Sequence, residues 1–397
     1  MKRLRTVIFW AHLLTGITIG SIVVTMAATG VLLTYQRQIQ TWADTRGLAY
    51  SPAAAGIPLA PDQLIARVQE AQAGRITGVR WRRDEDAPVE VELGRETLLF
   101  VDAYTGAILG DGSQRTRAFF RTITELHRWL ALRGRYQSTG RAITGAANLA
   151  LLLMLLSGFY LWWPRQPGAR AFRNVMLFRR GLRPKARDFN WHNVIGFWSL
   201  LPLGVIAASA VVISYGWAGS LLERATSQPA RVASEPAHVA SQPAGALSQP
   251  DGAAAQPAGA TQTPRPDTGA ATDLLVRAQT HVPRWRSVTM QIPARNGAVT
   301  FIIDTGTGGQ PQRTARLTLA QVTGAVLAWQ PFASESRAAR VRSILRYAHT
   351  GEVLGVAGQT LAGLVSAGTV LLACTGIALA LRRLAAWRRR RSPGAAA

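Results

Sequence analysis

Residues 7–33 read VIFWAHLLTGITIGSIVVTMAATGVLL. At 1.5 Å per residue this run makes a helix about 40 Å long, longer than the ~30 Å of bilayer hydrocarbon it would cross. Its only ionisable side chain is His12. Three more runs without Asp, Glu, Lys or Arg follow, at about 143–163, 194–215 and 353–381. All four are rich in Gly and Ala with scattered Ser and Thr, as close-packed membrane helices are. Lys2, Arg3 and Arg5 precede the first run as they would in a signal peptide. That run is about twice a usual h-region and no convincing cleavage site follows it, so it reads as a retained anchor.

Charge placement orients the spans. The 397 residues carry 45 Lys+Arg against 21 Asp+Glu, a formal net of +24. The excess suggests a nucleic-acid partner until it is mapped. Arg165, Arg170, Arg173, Arg179, Arg180, Arg183, Lys185 and Arg187 fill the 164–187 loop without an acid, and Arg382, Arg383 and Arg388 to Arg391 follow the last span. Nineteen of the 21 acids lie in 36–125 and 217–340. By the positive-inside rule both termini and the 164–187 loop are cytoplasmic, in a multi-pass membrane protein. The basic excess then faces anionic lipid, and no nucleic acid is expected. A single Cys excludes a disulfide scaffold, and 48% hydrophobic residues exclude a wholly disordered chain.

The two acid-bearing segments share an order of elements. Pro61-Asp62 opens an amphipathic stretch with Leu64, Ile65 and Val68 on one face, followed by alternating runs at 76–81, 89–93 and 98–101 and by Thr105-Gly106-Ala107-Ile108-Leu109. Asp273 opens Leu274-Leu275-Val276, followed by runs at 288–292, 299–303 and 317–319 and by Thr323-Gly324-Ala325-Val326-Leu327. The recurrence argues for internal duplication. The tract 226–270, with repeated Ser-Gln-Pro, cannot bury a core and reads as a flexible insert.

The predicted organisation is a four-helix transmembrane bundle with internal duplication plus α+β extracytoplasmic modules. Its parts are the N-terminus and first span (1–35), the first module (36–116), an outer His-bearing helix and second span (117–163), and a basic loop (164–188). The third span (189–216), a disordered linker (217–270), the second module (271–332), a second outer His helix with the fourth span (333–381) and a basic tail (382–397) follow.

Six His are present. His238 falls in the insert and His281 after a module helix, where both read as solvated. The other four attach to the spans, one each. His12, in Trp10-Ala-His12-(x3)-Gly16, and His192, in Trp191-His192-(x3)-Gly196, lie just inside the inner ends of the first and third spans. His127 and His349 lie on the outer approaches to the second and fourth. A twofold axis along the membrane normal would set His12 against His192 and His127 against His349. Two neutral imidazoles facing across an axis form the axial pair of a six-coordinate haem, and the absence of Cys-x-x-Cys-His excludes covalent attachment. Interfacial or helix-bridging His is the structural alternative; four at matched places favours ligation. Zinc would be short of ligands with two His per level. His349 to Leu381 spans about 48 Å if helical throughout, so the outer pair lies at or above the interface unless that helix breaks or enters the cytoplasm. Arg128, Arg133, Arg135, Arg342 and Arg346 cluster near it; they read either as groups that neutralise haem propionates or attract an anionic substrate, or as an ordinary solvated basic patch.

At Trp10-x-His12-x3-Gly16, Leu126-His127-Arg128-Trp129-Leu130, Ser157-Gly158-x3-Trp162-Trp163-Pro164-Arg165, Trp191-His192-Asn193-x2-Gly196 and His349-Thr-Gly-Glu352 the chain resembles the PepSY-associated transmembrane family. Both outer segments look like PepSY domains. The resemblance implies two haem b, ligated by His12/His192 and His127/His349, and electron transfer to a periplasmic acceptor, foremost a ferric siderophore, as in ferrisiderophore reductases. Some relatives carry a fused flavin reductase domain, and no G-x-G-x-x-G between strand and helix occurs here. The electron source would be a separate protein, a quinol or a diffusible flavin. Two other readings stay open: a haem subunit feeding another periplasmic oxidoreductase, and a non-redox regulatory or peptide-binding PepSY protein. A transporter is a weaker rival, because the spans hold no charged residue at mid-membrane.

Overall fold

The computed structural model describes residues 2–48, 56–84, 87–94, 97–164, 168–226, 270–293 and 297–391. Residues 227–269 of the expected insert, His238 among them, and Arg165 lie outside the described residues.

The first half runs through α1 (Lys2–Leu33), α2 (Gln36–Thr45), α3 (Pro61–Ala71), β1 (Ile76–Arg82), β2 (Val89–Leu93), β3 (Thr97–Val101), β4 (Ile108–Gly110), α4 (Gln114–Trp129) and α5 (Gln137–Trp162). Past α6 (Ala169–Met176), the second half runs through α7 (Pro184–Ser214), α8 (Gly216–Thr226), α9 (Ala270–His281), β5 (Ser287–Gln291), β6 (Ala298–Asp304), β7 (Thr314–Ala320), β8 (Val326–Pro331), α10 (Arg337–His349) and α11 (Gly355–Arg391). Among the described residues four helices, α1, α5, α7 and α11, are long and apolar enough to cross a membrane. They pack in a ring in which α1 and α7 are diagonal, each touching both α5 and α11. Leu153, Leu156, Leu201 and Leu364 stand outward and exposed. That surface would be costly in water and is suited to lipid.

Both strand sets belong to one eight-stranded antiparallel sheet, ordered β4-β3-β2-β1-β5-β6-β7-β8. The sequence reading separates two modules. The structure joins them edge to edge, pairing Val79 with Met290 and Trp81 with Val288. Joining hides what would be two open edges, β1 and β5. One core serves both: Leu64, Ile65 and Val68 of α3 and Leu274, Leu275 and Ala278 of α9 cover Val79, Val91, Val288, Phe301, Ile303 and Leu317. Asp62 at the start of α3 accepts hydrogen bonds from the backbone N–H of Ala271 and Thr272 and from the Thr272 hydroxyl. A carboxylate from one half thus caps a helix of the other, where orphan N–H groups and the helix dipole favour negative charge. Asp62→Ala is expected to cost about 1–2 kcal/mol, read as a lower midpoint in thermal unfolding of detergent-solubilised protein.

Three short helices depart from the expected loops. α2 follows the first span directly; its buried Asp44 pairs with Arg117 of α4 and accepts from Ser113 N–H. α6 forms inside the basic loop because Phe172 packs against Trp162 and Trp163. α8 occupies the expected start of the disordered linker, where Glu223 pairs with Arg342. A break precedes the fourth span: α10 ends at His349, Gly351 adopts a φ of 77°, and α11 starts at Gly355. The helix also runs on to Arg391, through residues expected as a tail.

Candidate functional site

His12 of α1 sets Nδ1 2.9 Å from Ser157 Oγ of α5. The adjoining Gly158 makes room for the ring, since a Cβ there would stand 3.3 Å from it. His192 of α7 sets Nδ1 3.1 Å from the Leu372 carbonyl and 3.2 Å from Thr375 Oγ1 of α11. Here Gly376 clears the ring, a Cβ falling at 3.2 Å. The two His lie on the diagonal helices, within electrostatic reach of each other.

The second pair lies near the opposite end. His127 of α4 sets Nδ1 2.9 Å from Thr29 Oγ1 of α1, beside Gly30. His349 of α10 sets Nδ1 3.0 Å from the Ile206 carbonyl and 3.2 Å from Ser209 Oγ of α7. Their ring centres are 6.3 Å apart, with planes at 64°. Thr29 and Ser209 are about one turn inside the ends of α1 and α7. The break after α10 lets His349 reach this depth, so the rings sit within the helix ends rather than above them. Burial first, and then neighbouring His349, pushes His127 down to about 4, and burial lowers His349 as well. All four His keep some accessible surface, so none is sealed in helix packing.

A six-coordinate metal between two imidazoles can be tested against these distances. A metal–nitrogen bond of about 2.0 Å and roughly 1.1 Å from nitrogen to ring centre put two opposed ring centres about 6.2 Å apart. The observed ring centres stand 6.3 Å apart, a separation of that size. Among the described residues no group of three or more His, Cys, Asp or Glu gathers as a metal site. The donor set suits a metal whose other ligands come with it, as a porphyrin supplies four.

Cations frame the outer pair. Arg128 adjoins His127, and the Arg128 carbonyl accepts a hydrogen bond from Thr144 Oγ1 of α5. Burial, and then Arg141 and Arg346, pull Arg128 below its usual value. Among the described residues no carboxylate lies within ion-pair distance of Arg128, Arg141 or Arg346, whereas Arg133 pairs with Glu125 and Arg342 with Glu223. Unpaired guanidiniums at close quarters favour an anion between them. His281 does not join either pair and packs edge-on against Trp329 at 4.5 Å.

The sequence reading names all four His, Arg128 and Arg346, but misses Arg141 and the hydroxyls beneath each ring. The hydroxyls have a signal. Residues His12 to Tyr35 align without a gap on His192 to Tyr215, matching Ala27-Ala28-Thr29-Gly30-Val31 with Ala207-Ala208-Ser209-Ala210-Val211. Ser157-Gly158 likewise matches Thr375-Gly376.

The family described as "PepSY-associated TM region" matches the chain over residues 9–387. No curated protein matches it.

Proposed function

The chain belongs to the PepSY-associated TM family of membrane proteins, and from that premise we propose that it carries electrons across a bacterial inner membrane and reduces a periplasmic acceptor, foremost a ferric siderophore. The carrying observation is the outer His pair, which α4 and α10 bring together with ring centres 6.3 Å apart. His12 and His192 would hold one haem b, and His127 and His349 a second. When bound, haem supplies one-electron chemistry at a potential set by axial ligand, burial and nearby charge.

The chain's own residues do the rest. Nδ1 of each His is engaged by a neighbouring helix, so Nε2 would be the nitrogen that holds the haem. Arg128 and Arg346 would neutralise the haem carboxylates at the outer level. Both termini and the basic loop would be cytoplasmic, and the two sheet halves would be PepSY-like modules of a duplicated chain, lying in the periplasm over the outer pair. The β6–β7 turn reaches the bundle there, with Gln312 donating to the Val353 carbonyl. Hard oxygen chelators hold Fe(III) far more tightly than Fe(II), so one electron frees the metal. The donor would be a quinol, a flavin or a separate cytoplasmic reductase.

The test is anaerobic. Protein reduced with one equivalent of dithionite per haem is mixed with a ferric hydroxamate or catecholate and an Fe(II) indicator. Reoxidation of the haem bands with matching Fe(II) release is expected. Reduced bands that persist over minutes with every chelate would reject the ferric-chelate assignment.

A further inference from the structure

All four His share one device. Each Nδ1 meets a helix hydroxyl, and each of those hydroxyls is also within hydrogen-bond distance of a carbonyl one turn earlier in its own helix. Thr29 Oγ1 donates to the Thr25 carbonyl at 2.7 Å, Ser157 Oγ to Met154 at 3.1 Å, Ser209 Oγ to Ile206 at 2.8 Å and Thr375 Oγ1 to Leu371 at 2.8 Å. A hydroxyl has one proton and two lone pairs. With its proton committed to the helix carbonyl, it can only accept from the imidazole. The proton of each ring then sits on Nδ1, and the lone pair on Nε2.

Resting on the haem reading above, we infer that Ser157, Thr29, Ser209 and Thr375 are positioning residues that fix the Nδ1–H tautomer of His12, His127, His349 and His192. They hold each ring ready to ligate before haem arrives. A free imidazole divides its proton between the two nitrogens, and a ring with its proton on Nε2 cannot bind iron through that atom.

The four places are not equally backed. His192 and His349 also have carbonyl partners, Leu372 and Ile206, and the Met26 carbonyl faces His127. A carbonyl only accepts, so it enforces the same tautomer when the hydroxyl is lost. Among the described residues, Ser157 is the only hydrogen-bond partner of the His12 ring. The dependence on hydroxyl is therefore steepest at His12.

The experiment compares the parent, Ser157→Ala, Ser157→Thr and Ser209→Ala as full-length proteins in detergent. Long-range 15N NMR on 15N-histidine-labelled, haem-free protein reads the tautomers directly. Titration with hemin, competed by apomyoglobin, reads affinity at each site. Ser157→Ala is expected to give mixed tautomers at His12 and a 10–100-fold weaker inner haem site, the range for losing an outer-shell partner of a metal ligand. Ser157→Thr restores both, and Ser209→Ala stays within a few-fold. Parent-like tautomers and haem affinity in Ser157→Ala would overturn the inference, as would a loss in Ser209→Ala as large as in Ser157→Ala. A parent that shows the four Nδ1–H tautomers yet binds no hemin would reject the haem reading and, with it, the role given to the hydroxyls. Mixed tautomers in the parent would reject the inference alone.

Discussion

His127→Ala is expected to remove about half of the haem the parent binds and to leave the rest with an unchanged spectrum. The same result is expected for His349→Ala. The two rings reach one spot from α4 and α10, and each rests on a different member of the diagonal pair, α1 or α7. Losing one ring would remove one of the two residues proposed to hold the outer haem and would weaken that site alone. His12 and His192 lie near the opposite end, roughly 26 Å away along α1 at 1.5 Å per residue between His12 and Thr29. That distance makes the levels independent in ligation, as expected for sites with no shared partners. Pyridine-haemochrome quantitation should fall from two haems per chain to about one, and added imidazole should restore part of the lost band. Loss of both haems from either single variant would contradict two independent sites.

Gly140→Ala is expected to unseat the outer site through the backbone. α4 turns back on α5 so closely that a Cβ on Gly140 would run into the Trp129 carbonyl. The same contact recurs at the other half, where a Cβ on Gly358 would run into the carbonyl of Gly351. Each glycine lets a His-bearing helix lie against the span that follows it. A backbone carbonyl cannot swing aside as a side chain can, so the helices must part. Overpacking of this kind costs about 1–3 kcal/mol. Here it also displaces His127 from Thr29, so outer haem should be lost before the fold is. Gly204→Ala on α7 is the control, since its Cβ meets nothing within 4 Å. A haem content and thermal midpoint for Gly140→Ala equal to those of Gly204→Ala would show that the junction is slack.

The spans were legible because lipid demands long uncharged runs, and no other pressure produces four of them in one chain. The outer His pair was legible because His127 and His349 occupy matched places on the approaches to the second and fourth spans. The union of the two strand sets was not legible. Pairing of β1 with β5 joins residues more than 200 positions apart, and alternating apolar residues show which face is buried but not which strand lies alongside. α2, α6 and α8 were missed because each is about three turns or fewer and owes its stability to one anchor: Asp44 with Arg117, Phe172 among tryptophans, Glu223 with Arg342. The depth of the outer pair depended on the break at Gly351, which hydropathy alone does not reveal.

The measurement closest to the central claim is an absorption spectrum of the detergent-purified protein, oxidised and then reduced with dithionite, with haem counted per chain. Two haem b per chain are expected, with a sharp Soret band that shifts on reduction and the narrow visible bands of low-spin, bis-imidazole iron. A protein that stays colourless after expression with ample haem supply, and takes up none on titration with hemin, would leave the four imidazoles as helix-bridging groups and contradict the account.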